Sequence, residues 1–274
     1  MANQYMPDDS HRGGWRTYRD LEPIWFDTTL ALLSLAMICL LAGAIDERLI
    51  NGVSVWAKPS KFAMSLGVYF ATLLVFVSYL PAGYLRTGGG RFVSVTLVFV
   101  ALGELIYITI QGALGEASHF NFTTPFHAVM YSLMGIGATW LVTSPLWLGW
   151  VVWQNNARNA PMVLAIVLGL GLTFVFGMGF GGYLGNQTAH WVNATATDAN
   201  GIWLFNWSTD GGDLRVAHFF GMHAMQAVPL FAFLLPAHLS KNYGCALVAA
   251  FSAAYAAFSL ATFVQAIEGQ PFIS

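Results

Sequence analysis

Seven long apolar stretches alternate along the chain with short polar segments, at about 26–46, 60–80, 91–114, 124–146, 160–184, 214–238 and 243–267. Each meets the roughly 20 residues that a helix needs to cross a hydrocarbon core of about 30 Å. Hydrocarbon offers no partner to an unpaired backbone amide, so every stretch is expected to be helical. The pattern predicts an all-α fold, a polytopic seven-transmembrane-helix bundle over residues 26–267. A cytoplasmic N-terminal segment over 1–25 is expected to precede it, and a long external loop at about 185–213 to interrupt it. The fourth span reaches Trp153 if it accommodates a kink at Pro145. Trp140, Trp147, Trp150 and Trp153 cluster at that end, as interfacial aromatics do.

Composition agrees with this solvent. Only 9% of residues are charged and 57% are hydrophobic, where a soluble domain carries about 25% charged residues. The net charge of −2 comes without a basic stripe, so the lipid bilayer is the expected partner and nucleic acid is not. Cys39 and Cys245 both fall within apolar stretches, which makes them packing residues rather than a disulfide framework. The first apolar run exceeds a signal-peptide h-region, and no cleavable targeting segment is expected.

Lys and Arg divide unequally between the two sides. One side holds Arg12, Arg16, Arg19, Arg86, Arg91, Arg158 and Lys241, seven in all; the other holds Arg48, Lys58, Lys61 and Arg215, four in all. The positive-inside tendency then predicts an inner (plasma) membrane protein with its N-terminus in the cytoplasm and its C-terminus outside. Gly177, Gly181 and Gly185 recur at four-residue spacing on the fifth span. Such a stripe admits either a close helix neighbour or a ligand lying on bare backbone. Asn121, Asn186, Asn193 and Asn206 begin glycosylation sequons on the expected outer side, which matter only in a glycosylating host. The long loop is rich in Asn, Thr, Asp, Gly and Trp and is longer than a connection needs, so a lid is expected there.

Ionisable groups inside spans cost roughly 2.5–3.5 kcal/mol each on insertion scales, so they mark functional sites. Three spans carry them in stripes. Glu104, Tyr107 and Gln111 share one helix face, and so do Thr124, His127 and Tyr131. Arg215, His218, Met222 and Gln226 fall within about 80° of one another, with His223 on the shoulder. At about 1.5 Å per residue, Gln111, His127 and His218 lie about 5 Å below the outer helix ends, and Glu104 and His223 about 14 Å. Glu116, His119, Asp213 and Arg215 surround the mouth, and Lys61 and Gln265 complete the rim. These positions predict an outward-facing polar cavity, with a direct Glu104–His223 contact neutralising the mid-membrane carboxyl. His190 and His238 fall in or beside loops and are expected to be solvated.

Imidazoles at one depth on separate helices suit a haem or a transition metal. In the haem reading, His127 and His218 are the axial ligands of a single haem b, with Arg215 and Lys61 on its propionates. In the metal reading, His119, His127, His218 and His223, with Glu104 or Glu116, offer donors for Zn, Fe or Cu. Either makes the chain a membrane oxidoreductase or electron carrier acting on a quinone or other lipid-soluble substrate, with Glu104, His223 and Glu116 as the chemical groups. A second class is a proton-coupled transporter or anion-binding membrane protein, in which Lys61, Arg215 and the histidines hold the anion and Glu104 relays protons. A third is a metal-dependent intramembrane lipid hydrolase, with Glu116 beside a metal-bound water. The zinc-protease HExxH, the Walker glycine loop, the desaturase histidine boxes and the nucleophile elbow are absent from the sequence. The last span also lacks a lysine to hold retinal.

Overall fold

The computed structural model describes residues 15–158 and 160–274. The part of the expected N-terminal segment over 1–14, with His11 and Arg12, lies outside the described residues. The chain runs α1 (Trp15–Leu21), α2 (Pro23–Gly43), β1 (Leu49–Ile50), β2 (Val53–Ser54), α3 (Ala57–Val77), α4 (Gly88–Leu114) and α5 (Pro125–Asn155). It continues through α6 (Pro161–Gly185), β3 (Trp191–Val192), β4 (Gly212–Asp213), α7 (Leu214–Met222), α8 (Ala224–Leu234) and α9 (Lys241–Ile267). The protein is an all-α polytopic membrane bundle. Among the described residues, six helices are long and apolar enough to cross a membrane, and there are seven if α7 and α8, bent by 49° from each other, count as one broken span. The fourth span does continue past Pro145, as α5, to Asn155.

The helix ends follow local chemistry. Prolines at the first turn begin α2, α5 and α6, where a missing N–H leaves no bond unmade. Thr124 caps α5 by accepting the His127 backbone N–H at 3.3 Å. Gly115, at φ +76°, closes α4, and the Glu116 N–H folds back to the Gln111 carbonyl at 2.8 Å. That turn sets Glu116 opposite the start of α5.

The packing is that of a lipid-immersed bundle. Phe99 and Phe233 point outward, 77% and 74% exposed, while Trp25, Phe70, Leu73 and Leu97 are sealed inside. Successive helices α2 to α6 are neighbours, α7 and α8 lie on α6, and α9 packs over α6, α7 and α8. The Gln226 amide donates to Thr72 Oγ1 at 3.1 Å, tying α8 back to α3. Thus α3, α4, α5, α6 and the α7–α8 pair enclose a common interior. Tyr69 of α3 donates to the Leu141 carbonyl of α5 at 2.8 Å and forms its floor, about 18 Å below the start of α3 at 1.5 Å per residue.

The glycine stripe of α6 serves packing. A Cβ at Gly177 would stand 3.0 Å from Met222 Sδ, and one at Gly181 would stand 3.0 Å from the His218 ring. Further along α6, a Cβ at Gly169 would meet the Ala224 carbonyl at 3.0 Å and Met225 Cα at 3.1 Å, backbone atoms that cannot swing aside. Gly171 faces open space. Gly169→Ala is therefore expected to lower stability by about 1–3 kcal/mol through overpacking. Gly171→Ala should be neutral or slightly stabilising, since Ala favours a helix interior over Gly by about 0.5–1 kcal/mol. Thermal unfolding of the two variants in one detergent checks the difference.

Candidate functional site

The loop between α6 and α7 folds over the end of the bundle as an ordered lid. Its ends pair as β3 and β4, and its middle docks on the β1–β2 hairpin, where the Asp198 N–H donates to the Asn51 carbonyl at 2.8 Å. Trp207, 6% exposed, anchors it. The indole stacks on Phe205 at 4.4 Å and meets Phe219 edge-on at 5.4 Å and Phe272 at 5.8 Å, geometries in which aromatic quadrupoles attract.

Arg215 straps this lid down. Its guanidinium donates to Asp213 at 2.6 and 2.9 Å, to Asp198 at 2.7 Å and to the Asn206 carbonyl at 2.6 Å. Asp213 also caps α7 through the Arg215 backbone N–H at 3.0 Å. Lys61 reaches across from α3 to the Phe205 carbonyl at 2.9 Å and to the Asn206 side chain. The two cations assigned to haem propionates are thus spent on the lid. His190, expected to be solvated, is buried at 9% exposure and lies 3.3 Å from Asp198 Oδ1. No sequence motif signals that pair, because the turns between the two residues bring them together.

Beneath the lid lies a basic seam. Lys58, one turn before Lys61, sits with Nζ 5.8 Å from the centre of the Phe62 ring and within electrostatic reach of Arg215 and Asp198. The His119 ring packs between Phe62 at 5.6 Å and Tyr131 at 6.0 Å. Burial, with the Lys58 ammonium nearby, pushes the His119 imidazole well below its usual range. His218 lies against Gly181 with Nδ1 buried and unpaired, in electrostatic contact with His223. Sequence reasoning counted Lys58 as loop charge. Its three-residue step from Lys61, which puts both ammonium groups on one helix face, was the available signal.

The deeper layer differs from expectation. Glu104 packs into the gap left by Gly137 of α5, with Oε1 buried and without a hydrogen-bond partner. His223 instead bonds through Nδ1 to Gln226 Oε1 at 3.3 Å, so the direct Glu104–His223 contact is not made. The two residues share a depth but face different helices. Tyr107 OH and Gln111 Oε1 are also buried and unpaired.

At the mouth, His127 Nε2 lies 3.3 Å from Glu116, while Nδ1 engages Thr124 at 2.9 Å and Thr123 at 3.2 Å. Both ring nitrogens are used, and His218 faces α6, so the residues do not fit an axial haem pair. Among the described residues no group of three or more His, Cys, Asp or Glu side chains is placed to hold a metal ion. The set of His119, His127, His218 and His223 is distributed around the seam rather than gathered, and the acid proposed for lipid hydrolysis, Glu116, is paired with His127. One surface hollow is lined by Leu146, Trp150, Trp153 and Leu170 and another by Thr195, Asn200 and Asp210, both away from the expected site residues.

The break between α7 and α8 borders this seam at His223. Thr173 of α6 repairs it: its hydroxyl accepts the Met225 N–H at 2.9 Å and donates to the Met222 carbonyl at 3.3 Å. Non-helical backbone at membrane depth persists where protein supplies such partners.

No protein-family model matches the sequence, and no curated protein or solved structure matches it significantly.

The strap predicts an acid response. Burial raises the Asp198 pKa, but the His190 hydrogen bond and the charge of Arg215 more than offset this, and it ends below the usual carboxylate range. A depressed folded-state pKa stabilises above the unfolded value of about 3.9, and that contribution is lost as pH falls through the folded one. The protection of lid amides, measured as exchange relative to the intrinsic rate at each pH, should therefore be high at neutral pH and fall below about pH 4. Asp198→Asn should make it low at both.

Proposed function

We propose that the protein binds a small anion in the basic seam beneath the lid, as an anion-binding or transport protein of the membrane. The observation that carries this reading is the state of Lys58. Its neighbour His119 is an imidazole, Asp198 acts on it only from beyond ion-pair distance, and among the described residues no carboxylate pairs with it. The other cations on this side have partners: Arg48 pairs with Asp46 at 2.6 Å, Arg215 with Asp198 and Asp213, and Lys61 with lid carbonyls. A half-buried ammonium without a counter-ion carries part of the penalty of an unpaired charge, and an anion of carboxylate or phosphate type offsets it. The α7–α8 break supports the same reading, since interrupted helices border substrate sites in many transporters. The haem, metal and quinone readings lack a comparable feature.

The uneven division of Lys and Arg supports an inner-membrane orientation in which the lid and the C-terminus face outward. Trp203, at the lid tip and 87% exposed, provides the test. In a Cys245→Ala background, Trp203→Cys should react with a membrane-impermeant maleimide added outside intact cells. Labelling only after permeabilisation reverses the orientation.

The anion reading is tested by thermal unfolding of the purified protein with acetate, phosphate or sulfate. An anion at 100 times its Kd stabilises by about 2.7 kcal/mol. At least one should stabilise the wild type and the Lys241→Met control but not Lys58→Met. Equal stabilisation of all three proteins, or of none, overturns the proposal. A Soret band or a stoichiometric metal in the purified protein favours the redox reading instead.

A further inference from the structure

The face of α4 that carries Gln111, Tyr107 and Glu104 takes no part in the anion site, yet it holds three of the buried polar atoms that lack hydrogen-bond partners, Gln111 Oε1, Tyr107 OH and Glu104 Oε1. Native proteins leave few such atoms, and each calls for an explanation. These three succeed one another along one helix face, rising about 10 Å from Glu104 to Gln111 at 1.5 Å per residue. At the upper end stands the Glu116–His127 pair, 3.3 Å apart, with the Glu116 side chain 49% exposed to solvent and that of His127 13%. Tyr107 lies within electrostatic reach of Glu116, and its ring meets Phe126 edge-on at 6.4 Å.

We propose that this face is a proton path from the lid side of the membrane to a proton-binding site at Glu104. The chemistry requires only O–H and N–H bonds to break and form. The Glu116–His127 pair exchanges protons with bulk water. A phenol both donates and accepts, so Tyr107 passes its proton to the Glu104 carboxylate and regains one from the entrance side. Water carries the intervals that side chains do not span, and Gln111 orients that water. The net change is one proton moved inward and one negative charge neutralised at mid-membrane. The other titratable side chains of the long helices packed against α4 are Asp27 and Cys39 on α2, Lys58, Lys61 and Tyr69 on α3, Arg91 and Tyr107 on α4 itself, and His127 and Tyr131 on α5, and none forms an ion pair with Glu104 among the described residues. Tyr131 is occupied by the Gly185 carbonyl at 2.9 Å. Glu104 is thus the terminus of the path and not a link to a further acid.

Infrared difference spectroscopy of the purified protein between acid and alkaline buffer, without added anion, tests this independently of the anion reading. A protonated-carboxyl band should be present in the wild type and missing in Glu104→Gln. A separate band from Glu22, buried against Ser94, should survive that substitution. In D2O, exchange of the Glu104 band should slow several-fold in Tyr107→Phe and be unaffected by Lys58→Met. Should Glu104→Gln fail to fold, the Tyr107→Phe comparison stands alone. A spectrum without a band that depends on Glu104, or exchange unchanged in Tyr107→Phe, overturns the proposal.

Discussion

Hydrocarbon solvates neither backbone amides nor side-chain dipoles, and this constraint organises the molecule. Helices satisfy their own backbone, so the remaining question is where each polar side chain goes. Here the polar residues of α3, α4, α7 and α8 turn away from lipid toward an interior bounded by five spans. Large apolar side chains fill the interior, as Phe70 and Leu73 do, and also cover the outer surface, as Phe99 and Phe233 do, where a water-soluble bundle would present polar groups.

Spans were legible because their signal is long and redundant: twenty apolar residues in a row permit one structure in lipid. The three polar stripes were legible for a similar reason, since helical period alone assigns a face. What period cannot supply is the azimuth of one helix relative to another. Glu104 and His223 share a depth, yet Glu104 looks at Gly137 on α5 while His223 looks at Gln226 and, through it, at Thr72 on α3. Depth is one coordinate of three, and the contact inferred from it alone was wrong.

The lid shows a different limit. Its composition announced a structured loop, but its contacts depend on residues distant in sequence. His190 meets Asp198, Lys61 meets Asn206 over 145 positions, and Trp207 rests on Phe272. Arg215 and Lys61 had been read as groups awaiting a ligand's charge. They are committed to the lid, and among the described cations at this end of the bundle Lys58 meets a ring, Phe62, and no carboxylate. Cations close to a site in sequence thus divide into those that build it and those that face into it, and only their acceptors tell them apart.

Thr173 of α6, which bridges the two half-helices at the α7–α8 break, gives the bundle a joint. Because one hydroxyl serves both half-helices, the bend is held by a side chain of a third helix and not by the backbone of either half. The upper half bears the arginine that clasps the lid and the lower half is moored to α3 by Gln226, so a single oxygen is the hub at which cover and interior share one frame.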